Sequence, residues 1–291
     1  MTEAKTHTLD VPGAVLTYDV REAPAGTEPV LLIIGSPMGA DGFVSLAERF
    51  PDRTVVTYDP RGVGRSTKAD DTGESTPDDH ADDLHRLIDA VGADPVDLFA
   101  SSGGAVNALA LVARHPEQVR TLVAHEPPAA QELPDRETAL AAASDIRRTY
   151  EHDGFGPAMA KFIAMVGLRG PVPADFGETA PSPAAFGLPT EDDDSRNDPL
   201  LGQNIVTCLY YKHDFEALRA ASTRIVIGVG AESKDELAHR AGLAVAERLG
   251  TQPVTFPSNH GGFLGGEYGM QGDPDGFAAT LRQVLEDDGR Q

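Results

Sequence analysis

Phe99-Ala100-Ser101-Ser102-Gly103-Gly104-Ala105 decides the reading of this chain, because it joins an apolar run at 96–101 (VDLFAS) to an apolar segment of helical period at 103–114. A strand that passes into a helix through small-x-Ser-x-small has the shape of a nucleophile elbow. The turn is sharp and strained, and it packs so tightly that the flanking residues must be tiny. Ala100 and Gly104 fill the small positions, which leaves Ser102 as candidate nucleophile at the carboxyl end of a sheet, where open α/β folds place their ligands. Ala100 stands where Gly is commoner, and Ser101 is a neighbour one residue out of register. The competing reading is a helix N-cap serine followed by flexible glycines.

Working outward, short runs rich in Val, Ile and Leu alternate with helical periods, the pattern of a parallel sheet with crossover helices. Strands are predicted at 29–35 (PVLLIIG), 53–59 (RTVVTYD), 96–101, 121–125 (TLVAH), 224–230 (RIVIGVG) and, shorter, 253–256 (PVTF). The alternating segment 15–20 (VLTYDV) predicts a half-buried antiparallel edge strand. Helices are predicted at about 78–91, 103–114, 237–249 and 274–286. Between 127 and 222 the strand signal disappears while helical stretches such as 157–168 (PAMAKFIAMVGL) persist, so 128–222 reads as a helical cap inserted into a core made of 1–127 and 223–291. Its middle, 169–199, holds most of the local Pro and Gly and the acidic run Glu191-Asp192-Asp193-Asp194, and reads as a loop or mobile excursion.

Composition removes several function classes. The 291 residues carry 24 Lys plus Arg against 46 Asp plus Glu, a net charge of −22, which repels phosphate backbones and anionic headgroups. Neither nucleic acid nor membrane is expected as a partner. Cys208 is the single cysteine, so a disulfide within the chain or a multi-cysteine metal site is excluded and a reducing compartment fits. No apolar segment of signal-peptide or membrane-spanning length is present, and the expectation is a cytoplasmic protein. A homodimer is compatible with the sequence, which does not say which surface would pair.

A serine is a weak nucleophile and needs a general base, and neutral imidazole is the usual one near pH 7. Of the nine histidines, His260 in Phe256-Pro257-Ser258-Asn259-His260-Gly261-Gly262-Phe263 directly follows the last predicted strand. His80 and His85 lie on a helix opened by Pro77-Asp78-Asp79, and a metal site there is not expected; His115 sits near a helix C-terminus. His7, His152, His213 and His239 read as surface, and His125 precedes a candidate acid, Glu126.

These segments together resemble the α/β-hydrolase superfamily over nearly the whole chain apart from the cap. Tyr58-Asp59-Pro60-Arg61-Gly62-Val63-Gly64-Arg65-Ser66 is similar to the superfamily's strand-then-GxGxS turn, which implies a scaffold feature shaping the site floor. A nucleotide loop is rejected, since neither GxGxxG nor GxxxxGK[ST] is completed at a strand-to-helix junction. The resemblance implies a mostly parallel sheet of about eight strands flanked by helices, with His260 as catalytic base. It places the third member, a carboxylate that orients the histidine, three residues beyond the glycine ending 224–230. That residue is Ser233, with Glu232 one place early and Asp235 two late. The alternative place, after the strand 121–125, holds Glu126 ahead of Pro127-Pro128. Some haloalkane dehalogenases and the zearalenone lactonases carry their acid there. The stretch from Ser102 to Glu126, with Pro116-Glu117-Gln118-Val119-Arg120 and His125-Glu126-Pro127-Pro128, is especially similar to those lactonases. Glu126 is the first choice of acid and Glu232 the second; a buried salt bridge or a cap is the competing role for Glu126.

Acyl transfer also needs donors aimed at a developing oxyanion. The N–H of Gly103 is one, and the loop Gly35-Ser36-Pro37-Met38-Gly39 supplies the other; Pro37 has no N–H, so Ser36 is expected, with Gly35 or Gly39 as alternatives. Met38 and, on one helical face, Met159, Phe162, Met165 and Val166 are candidate substrate contacts, the alternative being that this face packs onto the sheet. The Gly-rich tail, Gly261-Gly262 and Gly265-Gly266 with Tyr268-Gly269-Met270, is either a cover over the site or a surface loop.

The expected function is a cofactor-free, metal-free serine hydrolase of a small hydrophobic carboxylic ester or lactone, with a macrolactone such as zearalenone among the substrates that the resemblance implies. Ser at 102 rather than Asp argues against the epoxide hydrolase and dehalogenase branches. The alternatives are C–C hydrolysis, cofactor-free perhydrolysis or oxygenation on the same fold, and a non-catalytic binding protein, favoured by the missing acid at Ser233.

Overall fold

The computed structural model describes residues 3–23, 28–69, 73–93, 95–178 and 181–287. Among these residues nine strands form one sheet: β1 (Lys5–Val11), β2 (Ala14–Arg21), β3 (Leu31–Ile34), β4 (Val55–Asp59), β5 (Thr67–Lys68), β6 (Val96–Ser101), β7 (Val119–His125), β8 (Arg224–Gly230) and β9 (Val254–Phe256). Their order is β1-β2-β4-β3-β6-β7-β8-β9, with β5 pairing β2. Pairing is parallel from β4 through β9 and antiparallel where β2 meets β1, β4 and β5. The helices are α1 (Val44–Ala47), α2 (Pro77–Val91), α3 (Gly103–Arg114), α4 (Arg136–Asp153), α5 (Phe155–Val166), α6 (Ile205–Leu209), α7 (Phe215–Ala220), α8 (Leu237–Leu249) and α9 (Pro274–Glu286).

The central strands are apolar end to end because helices cover both faces. One face packs Leu32, Leu98, Leu122 and Ile227 against α2 and α3, and the other packs Leu31, Phe99 and Val123 with Phe256 and Phe277 against α9. β2 is an inner strand rather than the predicted edge. β1 covers it, and β1 escaped prediction because its residues KTHTLDV are almost all exposed and lack an apolar alternation. The helix boundaries follow local chemistry. α2 starts with a capping box, Thr76 Oγ1 accepting from Asp79 N at 3.2 Å while Asp79 accepts from Thr76 N at 2.9 Å, and stops at Gly92 with φ 69°. At the end of β6 away from Ser102, the fully buried Asp97 accepts from Arg120 at 2.6 and 2.8 Å and from Arg53. A buried carboxylate is tolerated only when paired in this way.

Between β7 and β8 the described residues form helices, short 3₁₀ turns and a π-helical turn at Leu200–Asn204, and no strand. Helices α4, α5 and α6 build an apolar cluster around Ala143, Ile146, Tyr150, Met165 and Leu201, which Leu237 and Ala241 of α8 join from the core. Helix α7 differs: Phe215 and Leu218 join the cluster beneath the sheet, so this part of 128–222 packs with the core. Among its described residues the expected loop 169–199 holds the 3₁₀ turns Phe176–Glu178 and Pro183–Phe186; its residues 179 and 180, and the outermost residues of both chain ends, lie outside the described residues.

Candidate active site

Ser102 lies between β6 and α3 with φ 57° and ψ −129°. Non-glycine residues adopt positive φ at a cost of about 1–2 kcal/mol, and such strain persists only where surrounding structure imposes it. Here the imposing contacts are explicit. Ser102 N donates to His125 O at 3.0 Å, and a Cβ on Gly104 would lie 2.7 Å from Gly35 Cα, so helix α3 presses directly on the loop after β3. A Cβ on Gly103 would lie 2.5 Å from Ser36 O. Small residues at these positions allow the helix N-terminus and the 35–36 backbone to come together.

Glu126 is held at the end of β7. Its N–H continues the β7–β8 ladder to Gly228 O at 2.9 Å, its φ is 46°, and Pro127-Pro128 follow. The side chain is fully buried, with one carboxylate oxygen 2.6 Å from His260 Nδ1 and the other accepting from Gly230 N at 2.8 Å and from Ser233 Oγ. Burial alone would raise this carboxyl, but the hydrogen bond and charge of His260 and the Ser233 hydroxyl prevail and hold it at about 2. Ser233, the place where the superfamily resemblance put the acid, therefore serves as a hydrogen-bond donor to the acid on the neighbouring strand. Glu232, the second choice, is exposed; its N–H bonds Ser258 O at 2.9 Å, helping to fix the loop that carries His260.

His125 stacks 6.0 Å from His260, with Nδ1 3.3 Å from Ser101 Oγ. Burial lowers its pKa to about 3, against the opposing charge of Glu126, so it stands as a neutral ring. Two other histidines read as surface are not: His239 is buried, and both ring nitrogens of His213 are enclosed. A histidine's type gives no burial signal, and these lie beside apolar neighbours on helix faces or turns.

A cavity of about 350 Å³ opens onto this arrangement, and Ser36, Ser102, Gly103, Glu126 and His260 all line it. Ser102 and His260 share the cavity, and no hydrogen bond joins Ser102 Oγ to the His260 ring. Phe162, Met165 and Val166 of α5 form part of its wall, together with Ile163, which sequence reasoning missed. Met159 instead packs in the cluster of α4 to α6, and Met38 packs beside Phe43 in the sheet core; neither lines the cavity. Gly35 and Gly39, the alternative oxyanion donors, do not line it either. The Tyr58–Ser66 turn acts at one remove: Asp59 accepts from Ala40 N at 2.8 Å and from Arg65 at 2.7 Å, tying β4 to the loop after β3 without reaching the cavity. The Gly-rich tail is fastened elsewhere, Tyr268 donating to Asp41 at 2.7 Å and Glu267 accepting from Ser45 N at 2.7 Å.

Sequence reasoning also passed over Asn204 and Glu236, both in the cavity wall. Asn204 Nδ2 donates to Ser36 Oγ at 2.6 Å, and both residues are buried. Each arrives from a segment without a motif, so only the folded chain brings it to Ser102. Among the described residues no group of three or more His, Cys, Asp or Glu is placed to hold a metal ion, and no helix is long and apolar enough to cross a membrane.

This fold, with a carboxylate–imidazole pair beside an elbow serine, defines an α/β-type hydrolase. The chain belongs to the α/β-hydrolase family. The family model described as the alpha/beta hydrolase fold matches residues 28–166, and the uncharacterized hydrolase YraK of Bacillus subtilis is 32% identical over 264 residues, covering 88% of this chain and 89% of the relative. Among solved structures, an enol-lactonase from Burkholderia xenovorans superposes with a TM-score of 0.66 at 18% identity, covering 96% of this chain and 99% of that one. A thermophilic esterase from Thermogutta terrifontis gives 0.65 at 18%, covering 98% of each. At that identity the likeness speaks to the fold alone.

Proposed function

We propose that the protein is a serine hydrolase of a small, largely hydrophobic carboxylic ester or lactone, acting through an acyl-enzyme. The observation that carries this is the buried Glu126 bonded at 2.6 Å to the Nδ1 of a histidine that shares one cavity with the strained elbow serine. With Glu126 accepting from Nδ1–H, His260 presents a free Nε2 lone pair to the cavity. Ser102 Oγ attacks the carbonyl carbon as Nε2 takes its proton, and Glu126 stabilises the imidazolium. The oxyanion is held by the N–H of Gly103, favoured by the α3 dipole, and by that of Ser36. Collapse breaks the ester C–O bond, and the imidazolium protonates the leaving oxygen, which in a lactone stays tethered. Water, deprotonated by His260, then attacks the acyl-enzyme and releases the acid and Ser102.

The helices α4 to α6 act in this reading as a cap that supplies the apolar wall. A cavity of about 350 Å³ lies within the range of small-ligand sites, and a macrolactone such as zearalenone belongs in the substrate panel. The test is intact mass and peptide mapping after incubation with a fluorophosphonate, followed by the ester and lactone panel. One equivalent on Ser102, absent from Ser102→Ala and His260→Ala, is expected. A folded wild-type chain that stays unlabelled and hydrolyses nothing in the panel refutes the proposal.

A further inference from the structure

Most of the cavity wall is apolar, yet it includes a second carboxylate. Glu236 is half-buried and lines the cavity, with a single long ion pair to Arg169 and no hydrogen-bond donor among the described residues. It directly precedes α8 as its N-cap residue, but its side chain does not cap the helix. Within the described residues its carboxylate accepts no hydrogen bond; the nearest cation is Arg169, 3.8 Å away on a side chain that is 65% exposed and donates to Glu232 O at 3.2 Å. Glu126, by contrast, is saturated by three donors and enclosed behind His260. Burial raises the Glu236 carboxyl, Arg169 opposes, and the charge of Glu126 adds to the rise. A half-buried carboxylate without donors has acceptor capacity and charge to offer a ligand.

We propose that Glu236 makes this cavity charge-selective, favouring esters whose acyl or alcohol part carries a positive charge over neutral isosteres, and neutral isosteres over carboxylate-bearing ones. The inference rests on the hydrolase reading and names the substrate class of that same site. At an effective dielectric of about 20 and a separation of roughly 8 Å, one unit charge changes relative rates by about thirtyfold before screening, and Arg169 and solvent reduce this to about tenfold. Arg169 acts as the counterion that sets the strength of the field.

The test uses three esters of one shape: butyrylcholine, 3,3-dimethylbutyl butyrate and 3-carboxy-3-methylbutyl butyrate, followed by pH-stat at pH 8. For wild type, kcat/KM should fall in that order. Glu236→Gln should lower the cationic-to-neutral ratio by about tenfold and raise the anionic-to-neutral ratio by a similar factor. Arg169→Ala, at an exposed position, should raise the cationic-to-neutral ratio. Glu232→Gln removes the same charge outside the cavity and should move either ratio by less than about twofold, separating the local carboxylate from the net charge of −22. Hydrolysis of the neutral ester with ratios that Glu236→Gln leaves unchanged overturns this inference alone, as does an equal effect of Glu232→Gln. A wild type inert to all three esters and unlabelled by fluorophosphonate refutes the hydrolase reading, and the inference falls with it.

Discussion

Replacing Glu126 by Gln removes one charge and leaves the shape of the side chain, and the structure dictates how the new amide must sit. One carboxylate oxygen accepts from Gly230 N and Ser233 Oγ, so the glutamine oxygen must take that place. Its NH₂ then faces His260 Nδ1, now 2.6 Å from a carboxylate oxygen. Nδ1 must become the acceptor, the ring proton moves to Nε2, and the base lone pair is turned away from Ser102. The charge contributes separately: for charge centres about 4 Å apart at an effective dielectric of 20, losing the carboxylate forfeits about 4 kcal/mol of imidazolium stabilisation, roughly three decades in rate. Tautomer and charge together give an expected fall in kcat of about 10³ to 10⁴. The assay is the second-order rate of fluorophosphonate labelling, with circular dichroism to confirm the fold. Glu232→Gln should change it by less than about threefold, since that residue is exposed. A folded Glu126→Gln chain labelled within tenfold of wild type would falsify the assignment of Glu126 as the acid.

Three further outcomes follow from the same geometry. Ser102→Gly relieves a positive φ that Ser102→Ala retains, so its urea-derived stability should exceed that of the alanine variant by about 1 kcal/mol, with both inactive; equal stabilities would remove the strain argument. His80 and His125 are buried with pKa values lowered from 6.5 to about 3. Because the unfolded chain takes up these protons first, their contribution is complete above pH 6.5 and is lost as pH falls towards 3, by about 2 kcal/mol between pH 6 and 5; chemical denaturation at both values checks this, and a flat profile contradicts it. Asn204→Ala removes the hydrogen bond to Ser36, and kcat should drop about tenfold with KM little changed, Ser36→Ala giving a similar and non-additive loss; strict additivity in the double variant would uncouple the two residues.

Much of the scaffold was legible because its signals are local. The 96–101 run, the helix boundaries at 103–114, 237–249 and 274–286, and the small residues flanking Ser102 each follow from periodicity, capping or turn sterics within a few residues. Exposed strand β1 lacked such a signal, since an outermost strand need not bury a face. Met38 and Met159, named as candidate substrate contacts, pack in apolar clusters instead, because an apolar side chain fits a core as well as a cavity wall.

The sequence by itself determined the sheet order's raw material, the elbow at Ser102 and the position of His260 after the last strand. It left open which carboxylate meets the histidine, because Glu126 and Glu232 stand on different strand ends and their distance to His260 is a property of the sheet, not of the chain. Only the tertiary structure decided that β7 and β8 lie side by side, so that Ser233 donates to Glu126 and Glu126 reaches His260. It alone brought Asn204 and Glu236 to the cavity, since contacts between residues more than 100 positions apart leave no local pattern to read.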